Sequence, residues 1–167
     1  MKEFLEGVTG WNSYKPFLFK ALENTKGNVL ELGMGEGSTQ LLHDYCLNKD
    51  RMLVSIDNTK EWADKFKHLD CHHHMTIHSD NWDETFKGIM TYKWGVVLVD
   101  HAPGEHRHKA IELLKDNTDI IVVHDSQPEA TGYMLDKIFH LFKYKVDYKE
   151  FGDWATMLSN TIDITKI

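Results

Sequence analysis

Apolar positions along this chain fall into two alternating spacings. Residues 28–32, 51–56, 94–99 and 119–123 are short runs rich in valine, leucine and isoleucine, the signature of strands buried on both faces of a parallel sheet. Residues 71–78 alternate more weakly and read as another strand. Between these runs the period changes to that of a helix. Asn12-Ser13-Tyr14-Lys15-Pro16 has a capping residue followed by proline in the first turn, then an apolar face of Phe17, Leu18, Ala21 and Leu22, with Gly27 as the stop. Leu41, Leu42, Tyr45 and Cys46 form a second such face, and helices are expected from Thr59 or Lys60 to about His68 and over 105–115. Pro128 is expected to open a long helix with Tyr133, Met134, Ile138, Leu141 and Phe142 inward. Residues 144–148 and 154–159, joined by a turn at Gly152-Asp153, close the pattern as a hairpin.

Five strand–helix units followed by a hairpin predict an α/β fold. It is a seven-stranded, mostly parallel sheet with one antiparallel strand, helices on both faces and right-handed crossovers. With 167 residues the chain is expected to be a single domain over 1–167, in which 1–27 is a lead-in and a helix. Trp11 and Tyr14 in that lead-in either pack on the sheet or cover a ligand.

Composition narrows the function classes. The formal charge of −7, from 26 acidic against 19 basic side chains with no basic block, argues against nucleic acid as partner, because such binding rests on neutralising phosphates. No apolar run approaches the ~20 residues of a membrane span. Residues 1–8 carry two acidic side chains and no apolar stretch, so no secretory signal is expected. Cys46 and Cys71 form no C-x-x-C pair and are expected as reduced thiols of a cytoplasmic protein. In the run His72-His73-His74, His72 and His74 share one strand face and His73 the other, with no cysteine or carboxylate at ligand spacing; a solvated strand is expected rather than a metal site.

The candidate chemistry lies where strands end. After 28–32 comes Gly33-Met34-Gly35-Glu36-Gly37-Ser38-Thr39, a turn that brings backbone N–H groups to a ligand where a Cβ would obstruct it. Its G-x-G-x-G spacing departs from the dinucleotide fingerprint G-x-G-x-x-G. Glu31, two places before the first glycine, would repel a pyrophosphate but suit an ammonium group. Asp57 follows the second strand and Asp80-Asn81-Trp82 the third. Asp100-His101 follows the fourth and His124-Asp125-Ser126 the fifth. In an open α/β sheet, ligands bind at these carboxyl ends.

E-x-G-x-G-x-G resembles the first motif of class I S-adenosylmethionine-dependent methyltransferases, and the order of elements is similar over about residues 12–160. The resemblance implies a Rossmann-like fold. Glu31, Gly33, Gly35, Gly37 and Ser38 would face the cofactor's amino-acid end, and Asp57 its ribose hydroxyls. Asp80, Asn81 and a stacking Trp82 would face the adenine, and Asp100 the methionine portion. Asp-His-Ala-Pro stands where the amino methyltransferases of nucleic acids have Asp-Pro-Pro-Tyr, which speaks against base methylation. Asp100 and Asp125 are also similar to the Mg²⁺ ligands of catechol O-methyltransferase-like enzymes, although Asp-Ser replaces their Asp-Asn pair. Without metal, His101 or His124 would serve as general base.

The leading expectation is therefore methyl transfer to an oxygen of a small-molecule or sugar-like acceptor, with Asp100, His101, His124 and Asp125 at the reaction centre. Alternatives that keep the cofactor are sulfonium cleavage, aminopropyl transfer or a non-catalytic binding subunit. A nicotinamide oxidoreductase is disfavoured by the glycine spacing and Glu31. Because nothing after the sheet covers the acceptor side, a homodimer is expected, with the aromatic lead-in at the substrate entrance.

Overall fold

A computed structural model describes residues 2–167, apart from the Glu3 side chain. Seven strands form one sheet: β1 (Asn28–Leu32), β2 (Leu53–Asp57), β3 (His74–His78), β4 (Trp94–Val99), β5 (Thr118–His124), β6 (Tyr144–Tyr148) and β7 (Ala155–Ser159), in the order β3-β2-β1-β4-β5-β7-β6. Strands β1 to β5 pair in parallel. β7 runs antiparallel to both β5 and β6, so it alone is reversed, as the terminal hairpin predicted. The winding direction reverses between β1 and β4, and the crevice at their carboxyl ends is the place where such sheets bind ligands.

The period-two alternation of the strands sorts two cores. Val29, Val96, Leu98, Ile120 and Val122 face α2 (Lys15–Glu23) and α3 (Thr39–Asn48), packing on Leu18, Leu22 and Leu42. Leu30, Leu32, Val97, Val99, Ile121 and Val123 face α5 (Trp82–Ile89) and α6 (Arg107–Leu114), packing on Phe86, Ile111 and Leu114. Each fully buried aliphatic or aromatic side chain contributes about 1.5–3 kcal/mol. By the same alternation Glu31 shares the face of Val29 and points under α3, with no exposed surface. α4 (Lys60–Phe66) continues as a 3₁₀ turn, Lys67–Leu69, and covers Met34 of the glycine turn. A short α1 (Lys2–Leu5) brings Phe4 into the first core. Among the described residues no helix is long and apolar enough to cross a membrane.

Several expectations are corrected. The long helix after Pro128 does not form. Residues 131–141 make three separate 3₁₀ turns, Thr131–Tyr133, Leu135–Lys137 and Phe139–Leu141, with Met134 left-handed at φ 53° between the first two. Thr131 and Gly132 are poor helix formers, and Leu135, Ile138 and Leu141 repeat at the three-residue spacing of a 3₁₀ turn rather than at 3.6. Helix 105–115 begins as a 3₁₀ turn, Gly104–His106, before α6. The second strand begins at Leu53, because Arg51 is turned inward: its Nε donates to Gly27 O (2.7 Å) and one Nη to Leu22 O (3.0 Å). The third strand begins at His74, since residues 71–74 close a backbone turn of 3.0 and 3.3 Å bonds. His74 is buried rather than solvated, its Nε2 3.0 Å from Ser55 Oγ and its Nδ1 3.1 Å from His43 Nδ1.

Candidate functional site

The glycine turn fits its place by close approach. Gly33 has φ +94°, and a Cβ there would lie 2.6 Å from the Asp100 backbone. Gly33 N donates to Ile56 O (2.8 Å) and Asp100 N to Leu32 O (2.8 Å), so this glycine seals the ends of β2, β1 and β4 together. At Gly37 a Cβ would lie 2.8 Å from Tyr14 Oη. Gly35 N donates to Thr39 Oγ1 (2.9 Å), and Gly35 O receives Ser38 N and Thr39 N, which starts α3.

Glu31 lies beneath this turn. Its Oε1 accepts from Ser38 Oγ (2.5 Å) and Thr39 Oγ1 (3.1 Å), while Oε2 is buried with no hydrogen bond. Burial raises its pKa to about 7 against the pull of the Ser38 hydroxyl. The carboxyl is thus sealed beneath the turn, where its bonds to Ser38 and Thr39 fix the start of α3. Asp57, at the end of β2, uses its carboxylate on the backbone. Oδ2 accepts from Met34 N (2.8 Å) and Oδ1 from Thr59 N (2.7 Å). It thus holds the glycine turn to the start of α4, with one further lone pair on each oxygen for a diol.

The end of β3 departs from expectation. Asp80 is exposed and within 3.1 Å of His78 Nε2. Asn81 caps α5 by accepting from Glu84 N (3.2 Å). Trp82 is not free to stack on a ligand. Trp82, Phe86 and Ile89 repeat on the buried face of α5, so the indole points to the sheet. There its ring lies 4.4 Å from that of His101, and Nε1 donates to Ala102 O (2.8 Å).

The ends of β4 and β5 form a charged centre. Arg107, buried at the start of α6, donates through Nε to His101 O (2.9 Å), through one Nη to His124 O (3.0 Å) and Asp125 Oδ2 (3.3 Å), and through the other to Asp100 O and Oδ1 (both 3.2 Å). His124 Nδ1 lies 3.1 Å from Asp100 Oδ1 and 3.5 Å from Asp125 Oδ1. Burial pulls its pKa down, but the Asp100 hydrogen bond and both carboxylates outweigh this and hold it above the ordinary value. Asp125 has φ 53°, a left-handed conformation that turns its carboxylate back toward the centre. Trp11, 89% exposed, lines a cavity of about 540 Å³ with Asp100, Arg107, His124, Asp125 and Tyr133. Tyr14, by contrast, is buried, its ring edge-on to His124 at 4.9 Å.

Neither histidine is placed as a base. His101 has no exposed surface and no hydrogen bond at either ring nitrogen, and burial together with the Arg107 charge lowers its pKa to about 3. His124 Nε2 lies 2.9 Å from Gly10 O, so that nitrogen carries a hydrogen, and Nδ1 is directed at carboxylates.

The residues of the metal expectation do come together. Donor atoms of Asp100, His124 and Asp125 lie within 4.8 Å of one another. Both carboxylates already pair with the buried Arg107 guanidinium, so a divalent ion would compete with that cation for them. Arg107 escaped the sequence reading. Its one signal is rarity, because the chain has only two arginines, Arg51 and Arg107, and both are buried where a planar fork of donors is required.

No family model and no curated protein matches the chain. Solved structures do. The O-methyltransferase TomG of Streptomyces achromogenes, in complex with SAM, superposes with a TM-score of 0.65 at 16% identity, over 92% of this chain and 81% of that one. An O-methyltransferase of Bacillus cereus, in complex with SAH, gives 0.64 at 10% identity over 93% and 83%. An rRNA methylase of Streptococcus thermophilus gives 0.58 at 9% identity over 90% and 97%. At such identities the likeness concerns the fold, and the fold of this chain is that of the class I S-adenosylmethionine-dependent methyltransferases.

Proposed function

We propose that the chain binds S-adenosylmethionine and transfers its methyl group to an oxygen of a small-molecule acceptor. The observation that carries this is the glycine turn at the β1–β4 switch, with the orphaned Glu31 oxygen beneath it and the Asp57 carboxylate beside it. The turn presents backbone N–H groups above a buried carboxyl, and Asp57 beside it keeps carboxylate lone pairs for a diol. The likeness to O-methyltransferase structures supports the reading, as does the cavity at Asp100 and Asp125, whose volume is of the order of small-ligand sites.

In this reading the N–H groups of the turn, shaped from beneath by the buried Glu31 through Ser38 and Thr39, hold the amino-acid end, Asp57 the ribose and Asp80 with Asn81 the adenine edge. When bound, the cofactor supplies an electrophilic methyl on a sulfonium. Asp100 and Asp125 are the carboxylates at the cavity, and one of them accepts the hydroxyl proton as the oxygen is methylated. Arg107 and His124 fix the two carboxylates, so alignment rather than a strong base provides most of the acceleration. In this reading no step is assigned to a metal ion, and His101 and His124 are positioning residues.

Calorimetry of the purified protein with S-adenosylmethionine, S-adenosylhomocysteine and NAD tests the binding step. Micromolar affinity for the first two and none for NAD is expected, and no binding of either sulfur compound overturns the proposal. Release of S-adenosylhomocysteine only in the presence of an acceptor separates methyl transfer from sulfonium cleavage and from a non-catalytic subunit.

A further inference from the structure

A second cavity, of about 630 Å³, opens where residues 126–128 leave β5 and cross the edge hairpin of β6 and β7. Gln127 lines both this cavity and the one at Asp100, and Ser126 directly follows Asp125, so the two are adjoining chambers of one cleft. The volume suits a mono- or bicyclic molecule.

Its lining runs against the charge of the chain. In a protein of formal charge −7, Lys137, Lys145 and Lys149 line this chamber against two carboxylates, Asp136 and Asp147. Asp147 holds two of the lysines in place. Lys145 pairs with it closely, Lys149 Nζ lies 3.4 Å from it, and Thr156 Oγ1 donates to it at 2.8 Å. The held ammonium groups lie over aromatic faces, Lys149 Nζ 4.1 Å from the Trp154 centroid and Lys145 Nζ 4.7 Å from that of Phe139. Lys137 has no carboxylate within ion-pair distance among the described residues; its nearest polar contact is Met134 Sδ at 3.5 Å. With those two faces covered by paired ammonium groups, the remaining apolar wall of Pro128, Met134 and Leu135 beside the Lys137 cation matches a flat apolar ligand with an anion at its rim.

We infer that this chamber seats the non-reacting end of the methyl acceptor, and that this end is an aromatic ring carrying an anionic group. The inference rests on the proposed function for the word acceptor, while the ligand class rests on the chamber alone. An ion-paired Asp147 that merely ties β6 to β7 would leave the chamber indifferent to ligand charge.

The test compares 4-hydroxybenzoate with its neutral isostere 4-hydroxybenzamide as probes of the full-length protein, by saturation-transfer NMR and calorimetry, with and without S-adenosylhomocysteine. The acid is expected to bind at least tenfold more tightly. Lys137→Gln, at an exposed position, is expected to lower acid affinity to the level of the amide, with amide affinity and the thermal midpoint unchanged. Equal affinity of acid and amide overturns the inference, as does a variant that weakens both alike. If S-adenosylhomocysteine fails to bind, the methyltransferase reading falls. The acid–amide comparison without it still decides the ligand class.

Discussion

Nε2 of His124 lies 2.9 Å from the carbonyl oxygen of Gly10, a bond that joins the end of β5 to the lead-in across 114 residues. A carbonyl only accepts, so Nε2 is a donor. The opposite nitrogen faces Asp100 and Asp125, which favours the imidazolium. This one relationship ties down the segment before the sheet and commits both nitrogens of His124 to protein partners.

Its titration sets the alkaline limb of stability. The His124 pKa is raised in the folded state, so its contribution is complete below the unfolded value of about 6.5 and is lost as pH rises through the folded value. His74 and His101, lowered to about 4 and about 3 by burial, act oppositely. The unfolded chain protonates them below about 6.5, and stability falls as pH drops toward their folded values. Glu31, raised to about 7, favours the folded state as pH falls from 7 to about 4.5, one group against two. The urea midpoint is therefore expected to peak near pH 6.5. It should decline toward pH 5 and toward pH 8.5, with the alkaline decline flattened in His124→Gln. A midpoint that climbs from pH 6.5 to 8.5 in the wild type contradicts the imidazolium.

Arg107 gives the metal prediction. Binding measured by calorimetry with Mg²⁺ or Mn²⁺ is expected to be undetectable below millimolar concentration, and methyl transfer to persist in excess chelator. Micromolar binding of either ion to the wild type would show that the cluster opens for a metal after all. Arg107→Met leaves Asp100 and Asp125 without their buried cation, and a loss of about 3–5 kcal/mol is expected in chemical denaturation.

Asp57 is expected to serve twice. Asp57→Ala leaves Met34 N and Thr59 N without acceptors, at about 1–3 kcal/mol each, and removes the proposed ribose partner. Stability and S-adenosylhomocysteine affinity should both drop, the latter at least tenfold. Intact affinity in a destabilised variant would confine Asp57 to its structural bonds.

Strands, strand-end residues and the reversed β7 were legible because a buried parallel strand needs an uninterrupted apolar run and a terminal hairpin fixes direction. The glycine turn was legible because Gly33 and Gly37 stand where a Cβ would collide with Asp100 and Tyr14. Side-chain direction was not. Trp82 looked like a stacking platform, yet the periodicity of α5 points it inward. His101 and His124 looked like bases, yet one is walled off by Trp82 and Phe86 and the other is held between Gly10 O and the Asp100 carboxylate. The turns at 131–141 defeated a helical reading because their apolar spacing of three is read as helical whenever the break at Met134 is unseen. Arg107 stayed hidden since its partners come from two separate stretches of chain, 100–101 and 124–125.

Gly33 offers a local test of the switch point. Gly33→Ala combines a left-handed φ with a Cβ 2.6 Å from the Asp100 backbone, which must move to admit it. The expected outcome is a loss of at least about 1–3 kcal/mol, with cofactor affinity falling along with it. Gly152→Ala is the control, since a Cβ there meets nothing within 4 Å. Equal stability of the two variants would mean that the β1–β4 junction yields freely.

The last prediction concerns Trp11, whose indole is 89% exposed at the rim of the cavity that holds Asp100 and Asp125. An indole left in water on a 3₁₀ turn, Gly10–Asn12, gains nothing for the monomer, whereas its neighbours Phe4 and Tyr14 are buried in the first core. Truncating the whole lead-in would therefore damage the fold and obscure the question; Trp11→Ala does not. If the indole covers the acceptor, this variant should keep its thermal midpoint and its S-adenosylhomocysteine affinity while the acceptor KM rises about tenfold, the size of a lost aromatic contact. If instead the indole is the contact of the expected homodimer, light scattering should give a dimer mass for the wild type and a monomer mass for the variant at the same concentration. A monomeric wild type removes the dimer. An unchanged KM removes the cover, and the wall of Gln127 between the two chambers then becomes the place to look for what orients the acceptor.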